Sequence, residues 1–142
     1  MNGDEIVRER LQYLRNEVQY LKREGAAIPS FESYVNDVRL RRAVERSLQV
    51  AVEACLDIAR RIIAIEGFRY PENNQDTFRV LVEEKIVPAR LLDTLQEMAR
   101  FRNLIVHDYV KIDDARVYGI LKQRLGDFDA YARAIANYLS RS

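Results

Sequence analysis

The sequence is poor in the residues that build disulfides, zinc sites and tight turns. Its 142 residues include one cysteine, one histidine, five glycines, three prolines and no tryptophan. A single cysteine excludes an internal disulfide, and one histidine with one cysteine argues against a zinc site made of those ligands. No tight group of acidic residues indicates a magnesium site, although the carboxylates along the chain leave that option open. We therefore expect a protein that uses no cofactor.

An excess of one charge is also missing, and so is a long apolar run. The chain has 23 Lys and Arg residues and 22 Asp and Glu residues, so its formal net charge is +1. Such a balance gives no global electrostatic field to attract nucleic acid. Nineteen of the basic residues are arginines, which suit phosphate and carboxylate contacts, although ordinary surface arginines explain the same bias. Without a signal peptide or a run of membrane-spanning length, we expect a cytoplasmic protein with no membrane partner.

Apolar residues at helical spacing are abundant, whereas strand-like alternation is nearly absent. In the first stretch Val7, Leu11 and Leu14 begin a stripe at alternating four- and three-residue steps. Such stripes predict helices over residues 4–24, 37–66 and 76–85, from 88 to the motif described below, and from 113 or 114 onward, with a short turn at 31–34. Gly126 lies inside the last helix at some cost in propensity. The prediction is an all-α antiparallel helical bundle of four long helices plus one short helix, in a single domain over residues 1–142.

The fourth predicted helix ends in the stretch "RNLIVHDY", residues 102–109. The apolar stripe through Leu95 and Met98 reaches Arg102 next. A buried cation without a partner is costly, so Arg102 must meet a carboxylate, a bound anion or a solvated groove. Asp57 and Glu53 of the long second helix are both candidates for the carboxylate.

His107 and Tyr109 complete this stretch. His107 lies five residues after Arg102, about 140° around a straight helix, whereas Tyr109 returns to nearly the face of Arg102. Asn103 shares a face with His107. Each residue has an ordinary explanation, because a histidine at a helix C-terminus interacts with the helix dipole and a tyrosine can cover the end of a bundle. Their occurrence together favours a functional site.

The stretch matches the RxxxxHxY signature of the HEPN superfamily, with Arg102, His107 and Tyr109 at the three defined positions. The context is similar to one branch of it, the HepT-type toxins. The segment "RRAVERSLQVAVEACLDIARRII" resembles their long second helix, "LLDTLQEMARFRNLIVHDYVKID" resembles the helix and loop of their catalytic motif, and "VYGIL" resembles the start of their last helix. The resemblance covers roughly residues 30–140.

The resemblance implies a homodimer whose two motif copies meet in a cleft at the interface. It implies a toxin that is a metal-independent endoribonuclease, in which His107 is a general base or acid, Arg102 holds the phosphate of RNA and Asn103 supports them. It also implies a partner, an MntA-type nucleotidyltransferase antitoxin that transfers AMP to Tyr109. Two facing copies, or an unwound last turn of the helix, would bring Arg102 and His107 together.

A second function stays open at this point. A helical binding subunit without nuclease activity would dock a nucleotidyltransferase and present a nucleotide or substrate to it, with the motif as an anion site. Two other features have ordinary interpretations. Cys55 lies on an apolar stripe and is expected to be packed rather than nucleophilic. The basic run "RLRR" at residues 39–42 indicates either phosphate contacts or a solvated helix face.

Overall fold

A computed structural model describes residues 3–141, and every regular element in that range is helical. Two short 3₁₀ turns, Ala89–Leu91 and Tyr109–Lys111, flank the fifth α-helix. The all-α prediction is confirmed. The α-helices are α1 (Gly3–Ala27), α2 (Phe31–Val35), α3 (Val38–Glu66), α4 (Asn74–Glu83), α5 (Leu92–His107), α6 (Asp114–Gln123) and α7 (Leu125–Leu139).

Four of the seven α-helices within residues 3–141 begin at residues that favour such a position, and α3 also ends at one. A side-chain oxygen accepts a hydrogen bond from a backbone N–H of the first turn at four helix starts, namely at Ser30, Asp37, Asn73 and Asp113. Gly67 ends α3 with φ at 71°, in the left-handed region where a residue with a Cβ is strained. Pro88 precedes the 3₁₀ turn before α5 and does not open the α-helix itself.

α3 is the central helix and contacts α1, α4 and α5. Its predicted stripe is buried from Val44 to Ile63, as is the α1 stripe that begins at Val7, and both belong to one hydrophobic core. Cys55 is buried within that core and is not in a disulfide. Burial raises the pKa of the Cys55 thiol and so disfavours the nucleophilic thiolate. The expectation of a packed cysteine is confirmed.

The last predicted helix is not continuous, and this part of the prediction is wrong. It is interrupted at Arg124, whose φ of −117° departs from the usual helical value near −63°, and it divides there into α6 and α7. The interruption accompanies a close approach of α6 to the end of α1, where a Cβ at Gly25 would lie 3.1 Å from the Leu121 carbonyl. Lys122 also donates hydrogen bonds to the Gly25 and Ile28 carbonyls. These contacts join residues far apart in sequence, so local periodicity does not reveal them.

The fold places the predicted motif against the central helix. The second half of α5 and the 3₁₀ turn after it lie beside the first half and the middle of α3, to which they are joined by side-chain hydrogen bonds. α4 also packs against α5. Within residues 3–141, no helix combines the length and the apolar character needed to cross a bilayer.

Candidate active site

The helix that carries the motif stays regular up to His107. Asp108 then leaves the helix with φ at −153° and ψ at 59°, and the 3₁₀ turn follows. The Asp108 N–H still donates to the Leu104 carbonyl at 2.9 Å, so the last turn is closed. The alternative of an unwound last turn is therefore wrong. Arg102 and His107 remain about 140° apart around α5 and about 7.5 Å apart along its axis.

The Arg102 side chain extends from α5 to α3. Its Nε and Nη2 each lie 3.0 Å from Oε2 of Glu53, and Nη1 donates to the Asn103 side-chain oxygen at 3.2 Å. The side chains are 23% exposed for Arg102 and 35% for Glu53, so the pair is partly open to solvent. Asp57, the other acid that the sequence offered, pairs instead with Arg10 of α1 at 2.9 Å. Glu53 is therefore the carboxylate that Arg102 meets.

Polar side chains continue from this pair along α3 and α4. Gln49 donates to Glu53 Oε2 at 3.3 Å, Asn74 of α4 donates to the Asn103 oxygen at 3.2 Å, and Arg60 donates to Asn74. Because these bonds form a connected network, Arg102 and Asn103 are held in fixed orientations. We call the network the polar strip, and it consists of Gln49, Glu53, Arg60, Asn74, Arg102 and Asn103.

His107 is the exposed last residue of α5. Its imidazole forms no hydrogen bond or ion pair with another residue in the part of the chain that the structure describes. A histidine without a fixed partner is free to exchange protons with a bound molecule. One copy of the chain does not bring this imidazole against Arg102.

Tyr109 is fixed by a carboxylate from α3. Its hydroxyl donates to Oε1 of Glu45 at 2.5 Å, and the Arg42 guanidinium lies 5.9 Å from the centre of its ring. Glu45 is only 3% exposed, whereas Tyr109 is 42% exposed. The hydrogen bond to Glu45 raises the pKa of the Tyr109 phenol, and partial burial raises it further. Burial also raises the pKa of the Glu45 carboxyl, against the opposing effect of the Tyr109 hydrogen bond.

Exposed apolar side chains surround the end of α5. Val106 and Val110 flank His107 and Tyr109 in sequence and are both exposed. They leave apolar surface beside the motif. The arginines of the basic run at residues 39–42 make different contacts. Arg41 pairs with Asp114 at 3.5 Å, whereas Arg42 lies over the Tyr109 ring.

Sequence reasoning missed Glu45, Gln49, Arg60 and Asn74. A signal for the first two was present, because the α3 stripe through Val52 and Leu56 projects seven residues back onto Glu45 and Gln49. These polar residues interrupt an apolar face in the same way as Arg102 does. No comparable signal marks Arg60 or Asn74. Among residues 3–141, no group of three or more His, Cys, Asp or Glu side chains is arranged to hold a metal ion.

Comparisons with known proteins identify the family. The sequence model described as Ribonuclease HepT-like matches residues 11–135 of the chain. The chain belongs to the ribonuclease HepT-like family. This HepT-like chain is 30% identical over 102 residues to the mRNA nuclease HepT of Shewanella oneidensis. The aligned region covers 72% of the chain and 77% of that protein. It is 25% identical over 134 residues to the tRNA nuclease HepT of Aphanizomenon flos-aquae, over 94% of the chain and 90% of that protein.

A solved structure of the same fold extends the comparison. The tri-AMPylated HEPN toxin of Shewanella oneidensis, in complex with an MNT antitoxin, is similar with a TM-score of 0.85 and 25% identity. The match covers 96% of this HepT-like chain and 99% of that toxin. The family resemblance and the helical fold class predicted from the sequence are therefore confirmed.

Proposed function

We propose that this HepT-like chain is the toxin of a toxin–antitoxin pair and a metal-independent endoribonuclease that uses Arg102 and His107. Two of its relatives are named mRNA nuclease and tRNA nuclease. One observation supports the choice of residues. An arginine on the core-facing stripe of α5 is held but partly exposed, and an exposed histidine without a partner follows on the same helix. RNA as the substrate favours a cytoplasmic location.

The proposed reaction uses a nucleophile from RNA itself. The 2′-OH attacks the adjacent phosphorus, and the bond to the 5′ oxygen of the next nucleotide breaks. His107 takes the proton from the 2′-OH or gives one to the leaving oxygen. Arg102 stabilises the charge on the other phosphate oxygens, and Asn103 orients the phosphate or His107. These steps need no metal ion.

The proposed site is composite and forms between two copies of the chain. Within one copy, Arg102 faces α3 while His107 lies about 140° away around a straight helix. A two-fold axis near the end of α5 would place His107 of each copy against Arg102 of the other. The exposed Val106 and Val110 would then be covered by the second copy.

Tyr109 is the proposed acceptor of AMP from a nucleotidyltransferase antitoxin. It is partly exposed, and a solved relative with an MNT antitoxin is AMPylated. Glu45 and Glu53 lie eight residues apart on α3, so the Tyr109 hydroxyl lies about 12 Å along the helix from the Arg102 pair. Charge is screened over about 8 Å at physiological salt. The nucleotide would therefore inactivate the site chiefly by covering the polar strip.

Cleavage of single-stranded RNA in EDTA tests the nuclease assignment. Arg102→Ala and His107→Ala are expected to slow cleavage on the order of 10²-fold or more. Arg10→Ala is the matched control, because Arg10 also pairs with an acid on α3 but lies outside the site. If clean wild-type protein cuts no cellular RNA and does not slow growth when induced, the nuclease function is refuted. Tight binding of an ATP analogue and of the partner would then support the binding subunit.

Mixing two inactive variants tests the composite site. A dimer of Arg102→Ala with His107→Ala has one site with both residues and one site with neither. After subunit exchange, about half of the dimers are mixed, so about a quarter of the wild-type rate should return. No recovery in a mixture shown to have exchanged subunits would mean that each copy carries its own site.

A further inference from the structure

Tyr109 has a buried carboxylate as its hydrogen-bond partner. The chain contains eight tyrosines, and Tyr70 is far more exposed than Tyr109, at 89% against 42%. Exposure alone would therefore favour Tyr70 as an acceptor. The Tyr109 hydroxyl differs because it donates to Glu45 Oε1 at 2.5 Å while the residue remains partly exposed.

We propose that Glu45 is the base that accepts the phenolic proton of Tyr109 during AMP transfer, so that the chain supplies part of the machinery of its own inactivation. This inference rests on the proposed function. The Tyr109 oxygen forms a bond to the α-phosphorus of a nucleoside triphosphate, and the bond between that phosphorus and the bridging oxygen to the β-phosphate breaks. Pyrophosphate leaves, and the phenolic proton moves to Glu45 Oε1. The partner nucleotidyltransferase supplies the triphosphate.

The surroundings of Glu45 suit this role. Glu45 itself is 3% exposed and lies on the first half of α3. A desolvated carboxylate is a stronger base near neutral pH than one in water. The charged and titratable groups that act on it are Tyr109 from the 3₁₀ turn, Tyr34 from α2, Arg41 and Arg42 from its own helix and Asp114 from α6.

Tyr34 is a second phenol on which the charge of Glu45 acts. Its hydroxyl is buried and has no hydrogen-bond partner among the described residues. The Glu45 carboxylate contributes to raising the pKa of this phenol, although burial contributes more. A buried polar group without a partner is costly. Among the described residues, Tyr34 forms no hydrogen bond to Glu45, so the Tyr109 hydroxyl is the phenol that donates to this carboxylate.

The test is the rate at which label from ATP carrying a radioactive α-phosphate enters the full chain. The catalyst is the cognate MntA-type nucleotidyltransferase antitoxin of the proposed function. Glu45→Gln, which keeps the shape of the side chain, is expected to slow transfer on the order of 10²-fold, and Glu45→Asp is expected to restore part of the rate. Glu66→Gln is the matched control, because Glu66 accepts a hydrogen bond from Tyr138 at 2.6 Å outside the site, and its rate should equal that of the wild type.

The pH profile separates a base from a residue that only positions Tyr109. The wild-type rate should level off once Glu45 is ionised. The Glu45→Gln rate should climb about tenfold per pH unit to at least about pH 9, because its phenol must lose the proton to solvent. A slow variant with a profile parallel to the wild type refutes the role as a base. If Glu45→Gln does not fold, a wild-type rate that never levels off refutes it equally.

Two controls keep this inference separate from the proposed function. Tyr109→Phe should take up no AMP, and if it is labelled as fast as the wild type, the proposed acceptor is wrong. If Tyr109→Phe is unlabelled while Glu45→Gln matches the wild type at every pH, the role of Glu45 alone is refuted.

Discussion

Replacing Arg102 with leucine separates the contribution of this side chain to the fold from its contribution to the site. Arg102 occupies a position on the apolar stripe of α5, and its side chain is 23% exposed. Complete burial of a leucine side chain contributes roughly 2 kcal/mol, so about three-quarters of that, about 1.5 kcal/mol, is available here.

The stabilisation lost with the ion pair is similar in size to the stabilisation gained by burying leucine. A partly exposed ion pair contributes up to about 1 kcal/mol. Glu53 loses its cation, but at 35% exposure it keeps contact with water, and Gln49 still donates to it. The free energy of unfolding should therefore change by less than about 1 kcal/mol. Cleavage should fall by 10²- to 10³-fold, or about 3–4 kcal/mol, because a charge-assisted contact in the transition state is lost.

Urea unfolding and single-turnover cleavage of RNA in EDTA measure the two effects on one preparation. Arg10→Leu is the control, because Arg10 is about half exposed and pairs with Asp57 at 2.9 Å. Its cleavage rate should equal that of the wild type. If Arg102→Leu loses more than about 3 kcal/mol of stability, Arg102 is structural. If it keeps wild-type cleavage, Arg102 does not hold the phosphate.

Two further substitutions test other parts of the structure. His107→Ala should leave the free energy of unfolding within about 0.5 kcal/mol of the wild type, because the side chain is exposed and without a partner. A large loss of stability in a urea titration would contradict an exposed His107 side chain. Arg69 lowers the pKa of Asp76 to about 2. The stabilisation is therefore present above the unfolded pKa near 4 and is lost as the pH falls toward 2. Asp76→Asn should cost on the order of 1 kcal/mol at pH 7 after allowance for solvent screening, and urea titrations should show that difference shrinking as the pH falls toward 2 and vanishing below it. A difference independent of pH would refute the ion-pair explanation.

The periodicity of apolar residues was sufficient to predict most of the fold. Apolar residues at helical spacing lie on one face of a helix, and that face is buried in the core. The extent of α1 and α3 therefore follows from their sequences within a few residues. The break at Arg124 could not be predicted in this way. It accompanies the contact between Leu121 and Gly25, residues whose proximity depends on how the whole bundle is assembled.

The site was predictable only in part, for a similar reason. Arg102 stands out because a cation interrupts an apolar stripe, but the choice between Glu53 and Asp57 depends on the rotation of α3. Four residues along a helix correspond to about 40° around its axis, and this is enough to direct Asp57 toward α1 and Glu53 toward α5. Partners from other helices, such as Glu45 for Tyr109, depend on contacts 64 residues apart.

The five-residue spacing between Arg102 and His107 separates their side chains because α5 is a regular helix. Residues four apart share a face of a helix, so a four-residue spacing would suit a site formed within one copy of the chain. A five-residue step places the two side chains on different faces unless the helix unwinds, and α5 stays helical up to His107. Arg102 is held against α3 through Glu53, so it cannot rotate toward His107 without losing that pair. The spacing and the helix together therefore favour a site completed by a second copy, with the exposed valines beside His107 at the surface where that copy would bind.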